Sequence, residues 1–212
     1  FLAKAKSFSD KLLFLRVLLM RDIILASSST YRRDILNKIG IPYHCISPHI
    51  CEKALIDENA AQLVQRLALE KAQKIATQHP NSLIIGSDQV ALLDGKILGK
   101  PHTTPKAEQQ LALCSGKKVS FRTGLCLLDS SDQSYQLEQV IFDVHFRVLT
   151  TQEICHYIAI EKPLNCAGSF KAEGLGIALF DKLEGDDFNS LIGLPLIRLL
   201  AMLRNKGISP LY

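Results

Sequence analysis

The 212-residue sequence has six cysteines (45, 51, 114, 126, 155 and 166) but no CxxC pair and no His spacing of the zinc-ligand kind. Structural zinc sites are built from closely spaced ligand pairs, so a zinc module is excluded. Scattered thiols in a chain this long read as reduced residues, which leads us to expect a cytoplasmic protein. Three phosphate and catalytic signatures are also missing: the Gly-x4-Gly-Lys phosphate loop, GxGxxG and GxSxG. Nucleotide-loop ATPase, dinucleotide-binding and α/β-hydrolase readings lose their support with them. There is no aromatic RNP-type segment and no basic stripe, so nucleic acid is not an expected partner. The apolar run at residues 12–20 carries Arg16 in its middle and is too short to span a bilayer. Arg21 and Asp22 follow it where a signal peptide would place small residues, so no membrane association is expected.

What is present suits one medium globular domain. Hydrophobic residues make up 47% and charged residues 22%, enough for a sizeable core without disulfides or structural metal. The net charge of +4 is too mild to demand nucleic acid; a small anionic substrate accounts for it equally well. Met20 stands directly before the first strand-like run, so residues 1–19 read as an N-terminal extension and 20–212 as the working domain. An extra helix packed on the domain is the alternative.

Apolar and polar patterning gives an alternation of strands and helices. Residues 22–26 (DIILA) and 83–87 (LIIGS) read as buried strands, and 90–93 with 96–98 as a hairpin on Asp94-Gly95. Residues 119–128 and 139–148 read as paired strands, and 177–183 as a last one. Helices are expected at 31–39, from Asn59 to about residue 78 behind a capping box with Gln62, from Thr104-Pro105, from Thr150 to Ile160, and at 190–204. The fold class is α/β: one domain with two lobes, a mixed sheet flanked by helices, and a central substrate cleft.

Four segments could carry chemistry. In ASSSTYRR (26–33) a strand gives way to a helix whose unpaired amides and positive dipole attract anions. Arg32 and Arg33 sit there against the usual dipole preference, which an anion would resolve; a solvated basic turn explains them as well. In GSDQV (86–90) Asp88 closes an apolar run, placing a carboxylate at a strand end where α/β sheets bind ligands. A turn-capping Asp is the alternative. Lys100 lies between a hairpin and Pro101. The segment CAGSFKAEGLG (166–176) has three glycines around Ser169, Lys171 and Glu173, consistent with backbone approaching a ligand or with an ordinary surface loop. Glu70-Lys71 could be a solvated helix face. Together, arginines at a helix N-terminus, dispersed lysines and one strand-end carboxylate suit phosphoanhydride hydrolysis assisted by a divalent cation.

LASSSTYRR, EKA at residues 70–72, GSDQV, GKP and AGSFKAEGLG stand in the order and spacing of the Maf family, which the chain resembles from about residue 21 to 211. The resemblance is closest to the branch that acts on 7-methyl-GTP. It implies a two-lobed, ITPase-like α/β fold and cleavage of a nucleoside triphosphate between the α- and β-phosphates, giving a monophosphate and pyrophosphate. The expected cofactor is a divalent cation, Mg or Mn, and the expected partner is the nucleotide; a homodimer is left open. Asp88 matches the proton acceptor that activates water. Ser27, Arg32, Arg33, Lys71 and Lys100 match phosphate-side positions, and Glu52 with Asp88 the metal side. Tyr31, Gln89 and Glu173 fall at the three positions tied to base choice, where the dTTP/UTP branch carries Arg, Thr and Gln. A 7-methylguanine cation would suit an aromatic face such as Tyr31 and the Glu173 carboxylate, with Gln89 donating or accepting beside them. The branch has Trp where Tyr31 stands and an acidic residue where Cys51 stands. The competing functions are pyrimidine or other modified nucleotide hydrolysis, and a nucleotide-binding cell-division regulator without turnover.

Overall fold

The computed structural model describes residues 21–211. The expected extension, residues 1–19, lies outside the described residues. Strands and helices follow one another as β1 (Asp22–Ala26), α1 (Thr30–Asn37), β2 (His44–Ile46), α2 (Ala60–Ala76), β3 (Ser82–Leu93) and β4 (Lys96–Leu98). Then come α3 (Thr104–Cys114), β5 (Lys118–Asp129), β6 (Tyr135–Phe146), α4 (Thr151–Glu161), β7 (Phe180–Glu184), α5 (Phe188–Ile192) and α6 (Leu196–Asn205). The strands make one mixed sheet in the order β2-β1-β3-β5-β6-β7, with β4 also on β3. β2, β1 and β3 run parallel; the other pairings are antiparallel.

Local chemistry accounts for several boundaries. The Asn59 side chain accepts from the Gln62 amide at 3.0 Å and Gln62 accepts from the Asn59 amide at 3.0 Å, so two orphan donors start α2. Thr150 and Glu153 do the same for α4. Asp94 (φ 49°) and Gly95 (φ 79°) are both left-handed, as a two-residue hairpin turn needs.

Because successive strand residues face opposite sides, β1 and β3 feed two cores at once. Ile23, Leu25, Leu83, Ile85, Leu125 and Leu127 pack under α1 and α6 on one face. Ile24, Ala26, Ile84, Cys126 and Leu128 pack under α2 on the other. A third core joins Ala91, Val119, Phe121, Phe142 and Phe146 at the far ends of the strands to α3 and α4. The twelve-residue β3 and β5 therefore run from one lobe into the next.

Three elements depart from the sequence reading. Residues 83–87 and 90–93 are one continuous strand, because β5 pairs with β3 from Leu83 to Leu93 without interruption. The expected helix over 190–204 is two helices, broken where Gly193 takes φ 118° and Pro195 follows. Likewise residues 175–179 form a 3-10 turn, and the last strand starts at Phe180.

Helix α2 touches the sheet backbone directly. A Cβ built on Gly86 would lie 2.0 Å from the Ala68 carbonyl oxygen, and one on Gly124 would lie 2.1 Å from that of Val64. At the sheet's end, buried Asp129 accepts from Arg21, from Lys206 at 2.8 Å and from the Ser131 hydroxyl at 2.6 Å. The Arg21 guanidinium holds that carboxyl far below the usual range, tying the start of β1 and the end of α6 to β5. We predict that Gly124→Ala destabilises the protein by about 1–3 kcal/mol, the usual cost of overpacking. Gly99→Ala, whose Cβ meets nothing within 4 Å, should leave the denaturation midpoint unchanged. Equal midpoints would show that α2 can lift from the sheet freely.

Candidate active site

Strand β3 has β5 along one side. On its other side β1 pairs with residues 82–85 and β4 with residues 91–93. Residues 86–90 thus lack a strand neighbour there among the described residues, and a cavity of about 980 Å³ opens through the gap. That is the size of a small-molecule site. The gap explains why Asp88 and Gln89, on opposite faces of the sheet, both line one cavity. It also corrects the sequence reading of Asp88: it lies mid-strand and becomes reachable because β1 stops short.

On the α2 side, Lys71 is 5% exposed and Asp88 8%. Lys71 Nζ donates to Asp88 Oδ1 at 2.6 Å and pairs with Glu52 Oε1 at 2.6 Å. Lys71 belongs to the core-facing stripe of Leu67, Ala68, Ala72 and Ile75, so the solvated-face reading fails. Its neighbour Glu70 turns outward to Arg66 at 3.1 Å. Burial pushes the Glu52 carboxyl up, but Lys71, Lys100 and Arg32 outweigh it and hold its pKa below the ordinary value. Asp88 Oδ2 has no hydrogen-bond partner among the described residues, which leaves it able to accept from a water.

The start of α1 forms a second wall. Ser27 is buried and its hydroxyl accepts from the Ser29 amide at 3.1 Å; Ser29 in turn caps the Arg32 amide at 3.3 Å. Arg32 Nε donates to the Gly193 carbonyl at 2.8 Å, and Ser87 Oγ donates to the same oxygen at 2.9 Å. The break between α5 and α6 is what frees that carbonyl. Burial lowers the pKa of Arg32, with Asp88 and Glu52 acting against it. Arg33 differs from the expectation: it is exposed and lies outside the cavity lining, with its carbonyl accepting from Tyr43 at 3.1 Å.

Tyr31, Gln89 and Glu173 line the cavity with Phe121, Cys166 and Phe170. Phe170 packs edge-on to Phe121 with centroids 5.4 Å apart. The Tyr31 hydroxyl meets Cys166 Sγ at 3.7 Å, and burial raises its pKa, keeping it neutral. Gln89 Nε2 donates to Thr123 Oγ1 at 2.9 Å, Ser190 O at 2.7 Å and Leu191 O at 3.2 Å. Its donors are therefore spent inside the protein, and only Oε1 is left for a ligand. Lys100 is exposed at the rim, just after β4. Sequence reasoning missed Thr123 and Ser190; each is an ordinary residue in an ordinary local pattern, and only tertiary pairing singles it out.

The family model for Maf-like protein matches residues 22–206. The chain belongs to the Maf-like family. It is 54% identical over 190 residues to a 7-methyl-GTP pyrophosphatase of Pseudomonas savastanoi pv. phaseolicola, covering 90% of this chain and 99% of that one. It is 53% identical to one of Pseudomonas aeruginosa (89% and 98% covered) and 50% identical to one of Colwellia psychrerythraea (91% and 96%). Among solved structures, a HAM1 protein from Coxiella burnetii aligns with TM-score 0.43 at 13% identity, over 60% of this chain and 73% of that one. A Ham1 protein of Staphylococcus aureus gives the same score and identity over 72% and 88%. Those two likenesses are too distant to bear on the site.

In this Maf-like protein no three His, Cys, Asp or Glu side chains come together to hold a metal among the described residues. Glu52 and Asp88 are two carboxylates converging on Lys71. Such a pair fits a Mg-type cation, which keeps several waters and completes its shell with substrate phosphates. No described helix is long and apolar enough to cross a membrane, and all six cysteines are free.

The Gln89 network yields a test. Gln89→Glu keeps the shape but turns an oxygen toward the Ser190 and Leu191 carbonyls. We expect a loss of about 1–3 kcal/mol in unfolding free energy. The new carboxyl would be held above its usual pKa, so the loss should deepen as pH rises through the carboxylate range. Wild-type stability at every pH would show that the amide donors are dispensable.

Proposed function

We propose that this Maf-like protein is a nucleotide pyrophosphatase that hydrolyses 7-methyl-GTP to 7-methyl-GMP and pyrophosphate. The observation that carries this reading is the buried Lys71–Asp88 pair at the interrupted edge of β3, inside a nucleotide-sized cavity with Arg32 on its wall. It is supported by relatives named as 7-methyl-GTP pyrophosphatases, matched over 96–99% of their length.

Asp88 Oδ2 accepts a proton from water as the water oxygen bonds to phosphorus. The phosphoanhydride bond between the α- and β-phosphates breaks, and pyrophosphate leaves. Lys71, Arg32 and Lys100 neutralise the phosphate oxygens, and the capped N-terminus of α1 adds its dipole. Ser27 holds the turn that aims that N-terminus. Glu52 and Asp88 would hold a divalent cation, Mg or Mn, which would supply further charge neutralisation. On the base side, Tyr31 offers a ring face to the cationic methylated base. Glu173 accepts from the guanine N1–H and N2–H edge, and Gln89 Oε1 is a fixed acceptor beside it.

The experiment measures pyrophosphate release from 7-methyl-GTP, GTP, dTTP and UTP by wild type, Asp88→Asn and Glu173→Gln. Wild type should prefer 7-methyl-GTP. Asp88→Asn should lower turnover on all substrates by about 10²–10⁴-fold. Glu173→Gln should cost roughly ten- to a hundredfold in kcat/KM on 7-methyl-GTP while sparing the pyrimidine triphosphates. Equal losses on all four with Glu173→Gln would move that residue to phosphate or metal chemistry. A wild type favouring dTTP or UTP would overturn the choice of base.

A further inference from the structure

The cavity wall that carries Glu173 is built around a residue outside the cavity lining, Glu161, the last residue of α4. The Glu161 Oε1 atom accepts from the Leu175 amide at 2.7 Å, and Oε2 lies 3.4 Å from Lys171 Nζ. Lys171 Nζ also donates to the Glu161 main-chain carbonyl at 2.5 Å, a favourable position for a cation at a helix C-terminus. The Lys171 amide is held by the Tyr157 hydroxyl at 2.9 Å, one helical turn earlier on α4. Both ends of the turn at residues 171–175 are thus fastened to one carboxylate and one helix end.

Two glycines make that fastening a matter of fit. A Cβ on Gly174 would lie 2.6 Å from Glu161 Oε1, and one on Gly176 would lie 2.2 Å from the Lys171 carbonyl oxygen. The turn is therefore closed tightly on the carboxylate. Glu173 is exposed at its tip and lines the cavity, two residues from each fastened end. Lys171 also lines the cavity, and its ammonium is engaged by Glu161.

The geometry points to Glu161 as the positioning residue that sets Glu173 against the base, and so governs which base the cleft accepts. This rests on the reading of Glu173 as a base-facing side chain. Glu161 touches no reacting atom; it acts by fixing a carboxylate whose direction matters at the scale of one hydrogen bond. Losing the clamp should therefore weaken discrimination while leaving the Asp88 chemistry intact.

Wild type, Glu161→Ala and Glu161→Gln are compared for kcat and KM on 7-methyl-GTP, GTP, dTTP and UTP. Glu161→Ala should lower kcat/KM about tenfold on the substrate the wild type favours, through KM, and change the disfavoured substrates less than about twofold. Glu161→Gln keeps an oxygen for the Leu175 amide and should recover most of the preference. Where Glu161→Ala does not fold, Glu161→Asp withdraws the carboxylate by one methylene and should flatten the same ratio. A loss equal on all four substrates, or an unchanged ratio, overturns the proposal. A wild type that favours a pyrimidine triphosphate fails the 7-methyl-GTP reading alone, and the Glu161 ratio is then read on that substrate. If wild type turns over none of the four, the functional reading fails, and the ratio of their dissociation constants decides the role of Glu161 in the same way.

Discussion

Backbone contact between helix α2 and the sheet at Gly86 and Gly124 is the constraint on which the site depends. Any side chain at either position would collide with a helix carbonyl about 2 Å away. With nothing between them, α2 lies low enough for Lys71, on its inner stripe, to reach Asp88 two residues beyond Gly86. Gly124 is the strand partner of Asp88 on β5, so the two glycines flank the same spot on adjacent strands. A lysine buried on an apolar helix face is costly unless its charge is answered, and here Asp88 and Glu52 answer it. Packing and chemistry therefore share one cause.

The second organising feature is the interruption between β1 and β4. A continuous sheet would put Asp88 and Gln89 in separate compartments, because neighbouring strand residues face opposite sides. The gap merges the compartments and divides the work between them. The α2 face gathers Lys71, Asp88 and Glu52, the charged set suited to phosphates and a cation. The opposite face gathers Gln89, Phe121, Phe170 and the turn bearing Glu173, a more aromatic and less charged set suited to a base. Arg32 reaches the Gly193 carbonyl, which ties the α1 wall to the break between α5 and α6.

Much of this was legible in the sequence. The capping boxes at Asn59 and Thr150, the Asp94-Gly95 turn and the strand at residues 22–26 are local signals, and local chemistry decided them. The motifs around Arg32, Asp88 and Glu173 led to residues that one cavity brings together. The exceptions are instructive. Lys71 lies on the same helical stripe as Leu67 and Ile75, a periodic signal for burial that its charge concealed. Arg33 follows Arg32 in every local respect, yet helical rotation turns it out of the cavity. The helix expected over 190–204 contains the right periodicity, but Gly193 and Pro195 spend that continuity on a carbonyl for Arg32. The free edge of β3 arises from the lengths of two other strands, and no residue within 86–90 encodes it.

The site depends on the coupling between Lys71 and Asp88. A double-mutant cycle in denaturant unfolding, with Lys71→Met, Asp88→Asn and the pair combined, measures it most directly. Lys71→Met alone leaves Asp88 buried and uncompensated and should cost about 3–5 kcal/mol. Adding Asp88→Asn should return at least about 1 kcal/mol of that loss, well outside the error for independent sites. Strictly additive losses would contradict the account, because they would mean that the two charges do not depend on each other in the folded protein.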